Sequence, residues 1–321
     1  MIKIAMHPLN KLRGGPATFF SNLITTIQKE KIAKVVNPLN PFQHIGLYSS
    51  VTRNIFDFPY ILRIDGIYYD KKNTYGENQK LNEKIYKSIE KASGIIFQSE
   101  FSKKLVESHF GKINNKTTII LNGAKIDNRN FIPSFSKEKT IVCSANWRPI
   151  KRLHSIIDTV KKLRENIDCK LYILGDLNNI NIGENDYIFV LGDQPNSVVY
   201  DYLRKADLFI HLSWLDSCPN SVIEAVSQNV PVICSNLGGT PEIVKASKSG
   251  IISLCDDNIN LKDLMDLHNP PKPNIDVIVN DALKILSNSD IYKRKISTDT
   301  INIVNVAREY VKFCKKVLDE N

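Results

Sequence analysis

Residues 208–225 read Leu208-Phe209-Ile210-His211-Leu212-Ser213-Trp214-Leu215-Asp216-Ser217-Cys218-Pro219-Asn220-Ser221-Val222-Ile223-Glu224-Ala225. A second apolar run, Val230-Pro231-Val232-Ile233-Cys234, then leads into Ser235-Asn236-Leu237-Gly238-Gly239-Thr240-Pro241-Glu242. An apolar run, a polar turn, an amphipathic stretch and another apolar run is the pattern of a βαβ unit, two parallel strands joined by a helix. The turn carries the chemistry. Asp216 and Glu224 flank a Pro-Asn step that opens the helix, and Asn220 or Ser221 is placed to cap it, leaving first-turn N–H groups to attract a phosphate. Glu224 falls near that first turn, where it can accept hydrogen bonds from a sugar hydroxyl pair or complement the helix dipole. After the next run, Gly238-Gly239 lets backbone approach a ligand and Pro241 opens another helix.

The same alternation runs outward in both directions. Strands are expected at 2–6, 33–36, 60–64, 94–98 and 118–121, with helices at 17–27, 79–92 and 102–109. Residues 122–139 break the rhythm and read as a linker. The count restarts with strands at 140–143, 170–174, 187–191, 208–212, 230–234 and 250–254, and helices at 154–164, 198–205 and 221–228. Ile303, Val306, Ala307, Tyr310, Cys314 and Val317 form one apolar helical stripe. The fold class is therefore α/β, with two Rossmann-like doubly wound domains, a short one over 1–136 and a second over 137–300, and a terminal helix at 301–321 packing back on the first. Such domains facing across a cleft bind ligands beyond the carboxyl ends of their strands.

Composition agrees. A chain of 321 residues suits about two domains, and 42 % apolar with 24 % charged residues is ordinary for a globular protein. The six cysteines lie beyond residue 142 in no C-x-x-C spacing, and the six histidines form no metal pair. Met1 to Pro8 is too short for a signal-peptide core and no run reaches a membrane span, so a cytoplasmic protein is expected. The sequon Asn115-Lys116-Thr117 reads as chance. Residues 1–136 hold 20 Lys and Arg against 10 Asp and Glu, while the remainder holds 23 against 24. The basic first half suits an anionic partner, such as an anionic membrane on its inner face or a diphosphate-linked acceptor, unless it is simply solvated helix surface. A nucleic-acid partner is not expected, because no aromatic-interleaved motif accompanies the basic residues. No Ser-His-Asp arrangement and no phosphate-binding G-x-x-x-x-G-K-[ST] loop occurs. No aspartate has another two positions away.

Asp216, Glu224, Ala225, Pro231-Val232 and Gly238-Gly239-Thr240-Pro241-Glu242 together resemble the signature of family 4 retaining glycosyltransferases of the GT-B fold, the glycosyl transferases group 1. Other segments are similar in order. Trp147-Arg148-Pro149-Ile150-Lys151-Arg152-Leu153 looks like the family's basic loop, and Leu171 to Asp176 like its strand-glycine turn at Gly175. Ala206 to Ile210, Ile120-Leu121-Asn122-Gly123 and the glycine loop Gly14-Gly15 also match. The resemblance implies a nucleotide-diphosphate sugar as donor, bound by domain 137–300, and a glycan, lipid-linked or small-molecule acceptor on the side of domain 1–136, with no cofactor and retention of configuration. With no Asp-x-Asp pair to hold a metal, cations and N–H groups are expected to meet the diphosphate charge and no metal is expected. It implies that Arg148 and Lys151 grip the diphosphate and that Asp216 and Asp65 flank the reacting sugar. Gly14, Gly15, Arg63, Gly175, Asn220, Ser221 and Glu224 would bind the donor. Two positions depart from the family: Asp216 where a glutamate is usual, and Asp65, in Arg63-Ile64-Asp65-Gly66, where many members carry a histidine. These departures keep open a non-catalytic nucleotide-sugar-binding protein; within enzymes the alternative is another activity of the same fold, a nucleotide-sugar epimerase or an inverting transferase.

Overall fold

Apolar runs of four to six residues, too short for helices, pair edge to edge, and the amphipathic stretches between them become the crossovers that parallel pairing demands. The computed structural model describes residues 1–6, 15–51, 57–68, 78–126, 137–178, 180–183, 185–263 and 268–320. In chain order the first elements are β1 (Lys3–Met6), α1 (Gly15–Lys29), β2 (Lys34–Val36), β3 (Ile45–Ser49), β4 (Tyr60–Ile64), α2 (Gln79–Glu90), β5 (Gly94–Phe97), α3 (Glu100–Phe110) and β6 (Lys116–Ile119). Then come β7 (Lys139–Ser144), α4 (Leu153–Leu163), β8 (Cys169–Leu174), β9 (Ile188–Gly192), α5 (Asn196–Lys205), β10 (Leu208–His211), α6 (Asn220–Ser227), β11 (Val232–Ser235), α7 (Thr240–Ser247) and β12 (Gly250–Ser253). The helices α8 (Ile275–Leu286), α9 (Ser289–Lys295) and α10 (Ile303–Asp319) close the chain. Two six-stranded sheets result, ordered β2-β1-β3-β4-β5-β6 and β12-β11-β10-β7-β8-β9, and the strand pairs in both are parallel.

The chain divides into two units. The first comprises Met1–Lys125, Asn260–Asp266 and Thr300–Asn321; the second comprises Ile126–Ile259 and Leu267–Asp299. The expected boundary at 136/137 falls instead after Lys125. The chain leaves unit 1 soon after its last strand, where Ala124 pairs with Asn302 through Ala124 N–H to Ile301 O (2.9 Å) and Ile303 N–H to Ala124 O (3.0 Å). Most of the expected linker, 127–136, lies outside the described residues. Strand β3 is an addition to the expected set: Gly46 interrupts its apolar run, yet it lies between β1 and β4 with Ile45 and Leu47 fully buried.

In unit 1 the stripe on α10 is its buried face. Val306, Ala307, Tyr310, Cys314 and Val317 join Ile4, Met6, Phe19, Phe20, Leu23 and Ile27 in one core. At roughly 1.5–3 kcal/mol per fully buried large apolar side chain, this face outweighs intrinsic propensity as the source of the helix's stability. Asn302 caps α10 by accepting from Val304 N–H (2.9 Å), and Ser99 caps α3 by accepting from Ser102 N–H (3.0 Å). Asn115 is occupied in the fold, its Nδ2 donating to Ala92 O (2.7 Å) and Ile89 O (3.1 Å). In unit 2, Ile141, Cys143, Leu171, Ile173, Leu208 and Ile210 pack under Ile156, Val160, Ile278 and Ala282 of the covering helices. All six cysteines are buried and unpaired with one another. No helix among the described residues is long and apolar enough to cross a membrane.

Candidate functional site

In unit 2 the loops after β7, β8, β10 and β11 leave the carboxyl edge of the sheet together. The basic loop runs from Trp147 through a short 3-10 turn at Pro149–Lys151. It is braced on one side by Trp147 N–H to Asp176 O (2.9 Å), Trp147 Nε1–H to Leu174 O (2.9 Å) and Asn178 Nδ2–H to Trp147 O (2.7 Å). Trp214 N–H donates to Ile150 O (2.9 Å), joining the carboxylate loop to the basic one. Arg152, in the left-handed region at φ 54°, starts α4 and turns its guanidinium into a buried bidentate pair with Asp256 (2.7 and 2.9 Å). Asn236 secures that aspartate, accepting from Asp256 N–H (2.8 Å) and donating to its carbonyl (2.9 Å).

Held this way, Lys151 reaches Asp216 and forms an ion pair with its Oδ2, the two side chains being 14 % and 20 % exposed. His211 Nε2 stands 3.9 Å from the same oxygen. Burial works against ionisation of Asp216, but the Lys151 and Arg148 cations outweigh it and hold the carboxyl below its ordinary range. Burial, reinforced by Lys151, pushes His211 down to about 3, so its imidazole is neutral. Arg148 is exposed beside this pair, and its charge reaches Asp216. Histidine spacing, which shows no metal pair, does not single out His211, whose place beside Asp216 comes from a burial that spacing does not reveal.

The helix opening differs in detail from the expectation. Helix α6 starts at Asn220, so Asn220 and Ser221 lie inside its first turn and the cap position is Pro219, which has no side-chain acceptor. Glu224 sits one turn in, half-buried. Its carboxyl has no hydrogen-bond or ion-pair partner among the described residues, and burial pushes it up to about 7. Tyr200 is close enough to feel its charge. Gly239 N–H donates to Asp216 O (2.7 Å), and Gly238 takes φ 86° with its Cβ position 2.9 Å from that same carbonyl, so only glycine fits. Gly175, at φ 98°, is likewise required by backbone, since a side chain there would run into the Ala145 carbonyl. Its glycine is explained without a donor contact.

The unit 1 residues form a separate cluster at the carboxyl ends of β3, β4, β5 and β6. Asp65 is 16 % exposed and pairs with Arg63, accepts from Ser49 and Ser50 (3.1 Å), and accepts from Gln98 Nε2 (3.1 Å). Arg63 is a correction to the expected donor set. Its side chain is fully enclosed, with the guanidinium 4.6 Å from the Phe19 ring, and it has no surface to offer a ligand. Gly15 is the first residue of α1, and Gly14 lies outside the described residues. No group of three or more His, Cys, Asp or Glu that could hold a metal occurs among the described residues.

The family model for Glycosyl transferases group 1 matches residues 124–293. The uncharacterized glycosyltransferase MJ1059 of Methanocaldococcus jannaschii is 29 % identical over 193 residues, 54 % of this chain and 44 % of that protein. The chain spans less than half the length of the first curated relatives it matches. Among solved structures, sucrose-phosphate synthase from Thermosynechococcus elongatus aligns over 100 % of both chains with TM-score 0.73 at 12 % identity. Anabaena Alr3699/HepE in complex with UDP-glucose aligns over 98 % of this chain and 100 % of that one, with TM-score 0.63 at 14 % identity. These likenesses show the fold, α/β of the GT-B type with two parallel six-stranded sheets. The family match takes in over half of the chain, including the Lys151–Asp216 pair, Glu224 and the Gly238-Gly239 turn, and the chain belongs to the group 1 glycosyltransferases.

Proposed function

We propose that this chain transfers a sugar from a nucleotide-diphosphate sugar to a glycan, lipid-linked or small-molecule acceptor, with retention and without a metal. The observation that carries this reading is the braced basic loop whose Lys151 meets Asp216 at the sheet's carboxyl edge, with Arg148 exposed beside it. Departure of a nucleoside diphosphate develops about two negative charges, and preorganised cations and backbone N–H groups stabilise such charge best when they need not move. Arg148 and Lys151 supply the cations, the openings of α6 and α7 the N–H groups, and Asp216 contacts the transferred sugar. Glu224 accepts from the ribose hydroxyls. The acceptor oxygen bonds to the anomeric carbon on the face the diphosphate leaves, the bond to that phosphate oxygen breaks, and the oxygen takes the acceptor's proton. The complex of Anabaena HepE with UDP-glucose supports the donor class.

For the acceptor side, the excess of Lys and Arg in residues 1–136 supports docking on an anionic membrane face or a diphosphate-linked acceptor, with the protein working from the cytoplasm. One observation favours a second reading, a nucleotide-sugar-binding protein without turnover: Asp65 and Asp216 are both engaged in ion pairs. The two readings separate on release of nucleoside diphosphate from UDP-, GDP- and ADP-sugars in excess EDTA. Release supports transfer, binding without release supports the second reading, and release only after Mg²⁺ is added overturns the metal-free mechanism.

A further inference from the structure

The carboxylate of Asp65 belongs to a closed ring of side chains. Arg63 pairs with Asp65 Oδ1 through one terminal nitrogen and donates to Asn122 Oδ1 (2.8 Å) through the other. Asn122 Nδ2 donates to Gln98 Oε1 (3.2 Å), and Gln98 Nε2 donates back to Asp65 Oδ1 (3.1 Å). Ser49 and Ser50 hold the second oxygen. These groups come from the ends of four adjacent strands and the turns after them. One further bond enters from outside the sheet. Arg63 Nε–H donates to the hydroxyl of Tyr310 (3.2 Å), a residue 247 positions on in α10. The Tyr310 ring lies 5.9 Å from Phe19, whose face carries the Arg63 guanidinium.

We infer that Tyr310 is a positioning residue: through Arg63 it sets where the Asp65 carboxylate stands, so α10 completes the unit 1 cluster that holds Asp65. The inference rests on the transferase reading for its effect on the reaction. Arg63 and Tyr310 are fully buried, where an N–H that loses its acceptor has no water to turn to, so the guanidinium must shift to recover a partner. Asp65 is the charge bound to that guanidinium and the part of the ring that reaches solvent. A shift of Arg63 is therefore felt at Asp65, whose other three donors, Ser49, Ser50 and Gln98, are neutral groups.

Tyr310→Phe tests this, because the ring against Phe19 and the core is kept and only the hydroxyl is lost. The comparison is wild type, Tyr310→Phe, Asp65→Asn and the double variant, each as the full chain. In thermal unfolding, the two single Tm losses do not add in the double variant if the residues are coupled. In turnover of UDP-glucose, GDP-mannose or ADP-glucose, Tyr310→Phe lowers kcat by about 10- to 100-fold, the scale set by small misplacements of a reacting group, while the donor KM stays within about twofold. Additive Tm losses, or an unchanged kcat in an active protein, overturn the inference. If wild type turns over none of these donors, the transferase reading fails, and the additivity of the Tm losses still decides whether Tyr310 acts on Asp65.

Discussion

Glu224 carries the most quantitative prediction. In the folded chain its carboxyl keeps a proton up to about pH 7, against an ordinary value of 4.5, because burial opposes the charge and no cation answers it. Between those values the native state binds more protons than the unfolded one. Stability therefore falls as pH rises through that window, and the penalty is complete above pH 7. At about 1.4 kcal/mol for each pH unit of the window, the ionised carboxylate costs about 3 kcal/mol. Glu224→Gln removes it. In urea unfolding the variant should exceed wild type by about 3 kcal/mol at pH 8.5, and by less than about 1 kcal/mol at pH 5. Function reads the same group from the other side. Ribose hydroxyls donate to a carboxylate, so binding draws the proton off. Affinity of wild type for UDP-glucose, GDP-mannose or ADP-glucose, none of which titrates in this range, should rise about tenfold from pH 6 to pH 8. In Glu224→Gln that rise disappears. Identical pH profiles of stability and binding for the two proteins would show that Glu224 carries no uncompensated buried charge and holds no ribose.

Asp216→Asn should release Lys151 and lower kcat more than it weakens binding of free nucleoside diphosphate, as loss of a transition-state contact requires. Asp216→Glu must fit a longer carboxylate against Lys151, His211 and the Gly238 turn, and a cost of about 1–3 kcal/mol in stability shows a site built for the short side chain. No change in kcat from either variant would remove Asp216 from the site. On the acceptor side, the full chain should co-sediment with vesicles rich in anionic phospholipid at low salt and release as salt is raised. Equal recovery with neutral vesicles contradicts membrane docking by the basic half.

Unit 2 was legible because its strands are apolar runs bounded by turn residues, and its candidate residues lie in the loops that follow β7, β10 and β11. The Asp216 to Glu242 stretch spells out both helix openings, with an error of one residue at the cap where Pro219 takes the place expected for Asn220 or Ser221. What escaped depends on distant partners. Strand β3 is cut by Gly46, and with it went the place of Ser49 beside Asp65. Arg63 is expected among the donor-binding residues, but it is enclosed by Phe19 and Tyr310, which periodicity marks only as apolar positions on two remote helices. His211 sits in an apolar run, and only the fold brings its ring to Asp216.

In the proposed reaction the Lys151 turn meets the charge of a departing diphosphate. Release of nucleoside diphosphate from a nucleotide sugar, followed in excess EDTA for wild type and Lys151→Ala, tests it most directly. Wild type should release product without added metal, and Lys151→Ala should do so about 10- to 150-fold more slowly, the effect of losing a charged hydrogen-bond partner worth about 1.5–3 kcal/mol. Equal rates from two equally folded proteins would contradict the claim.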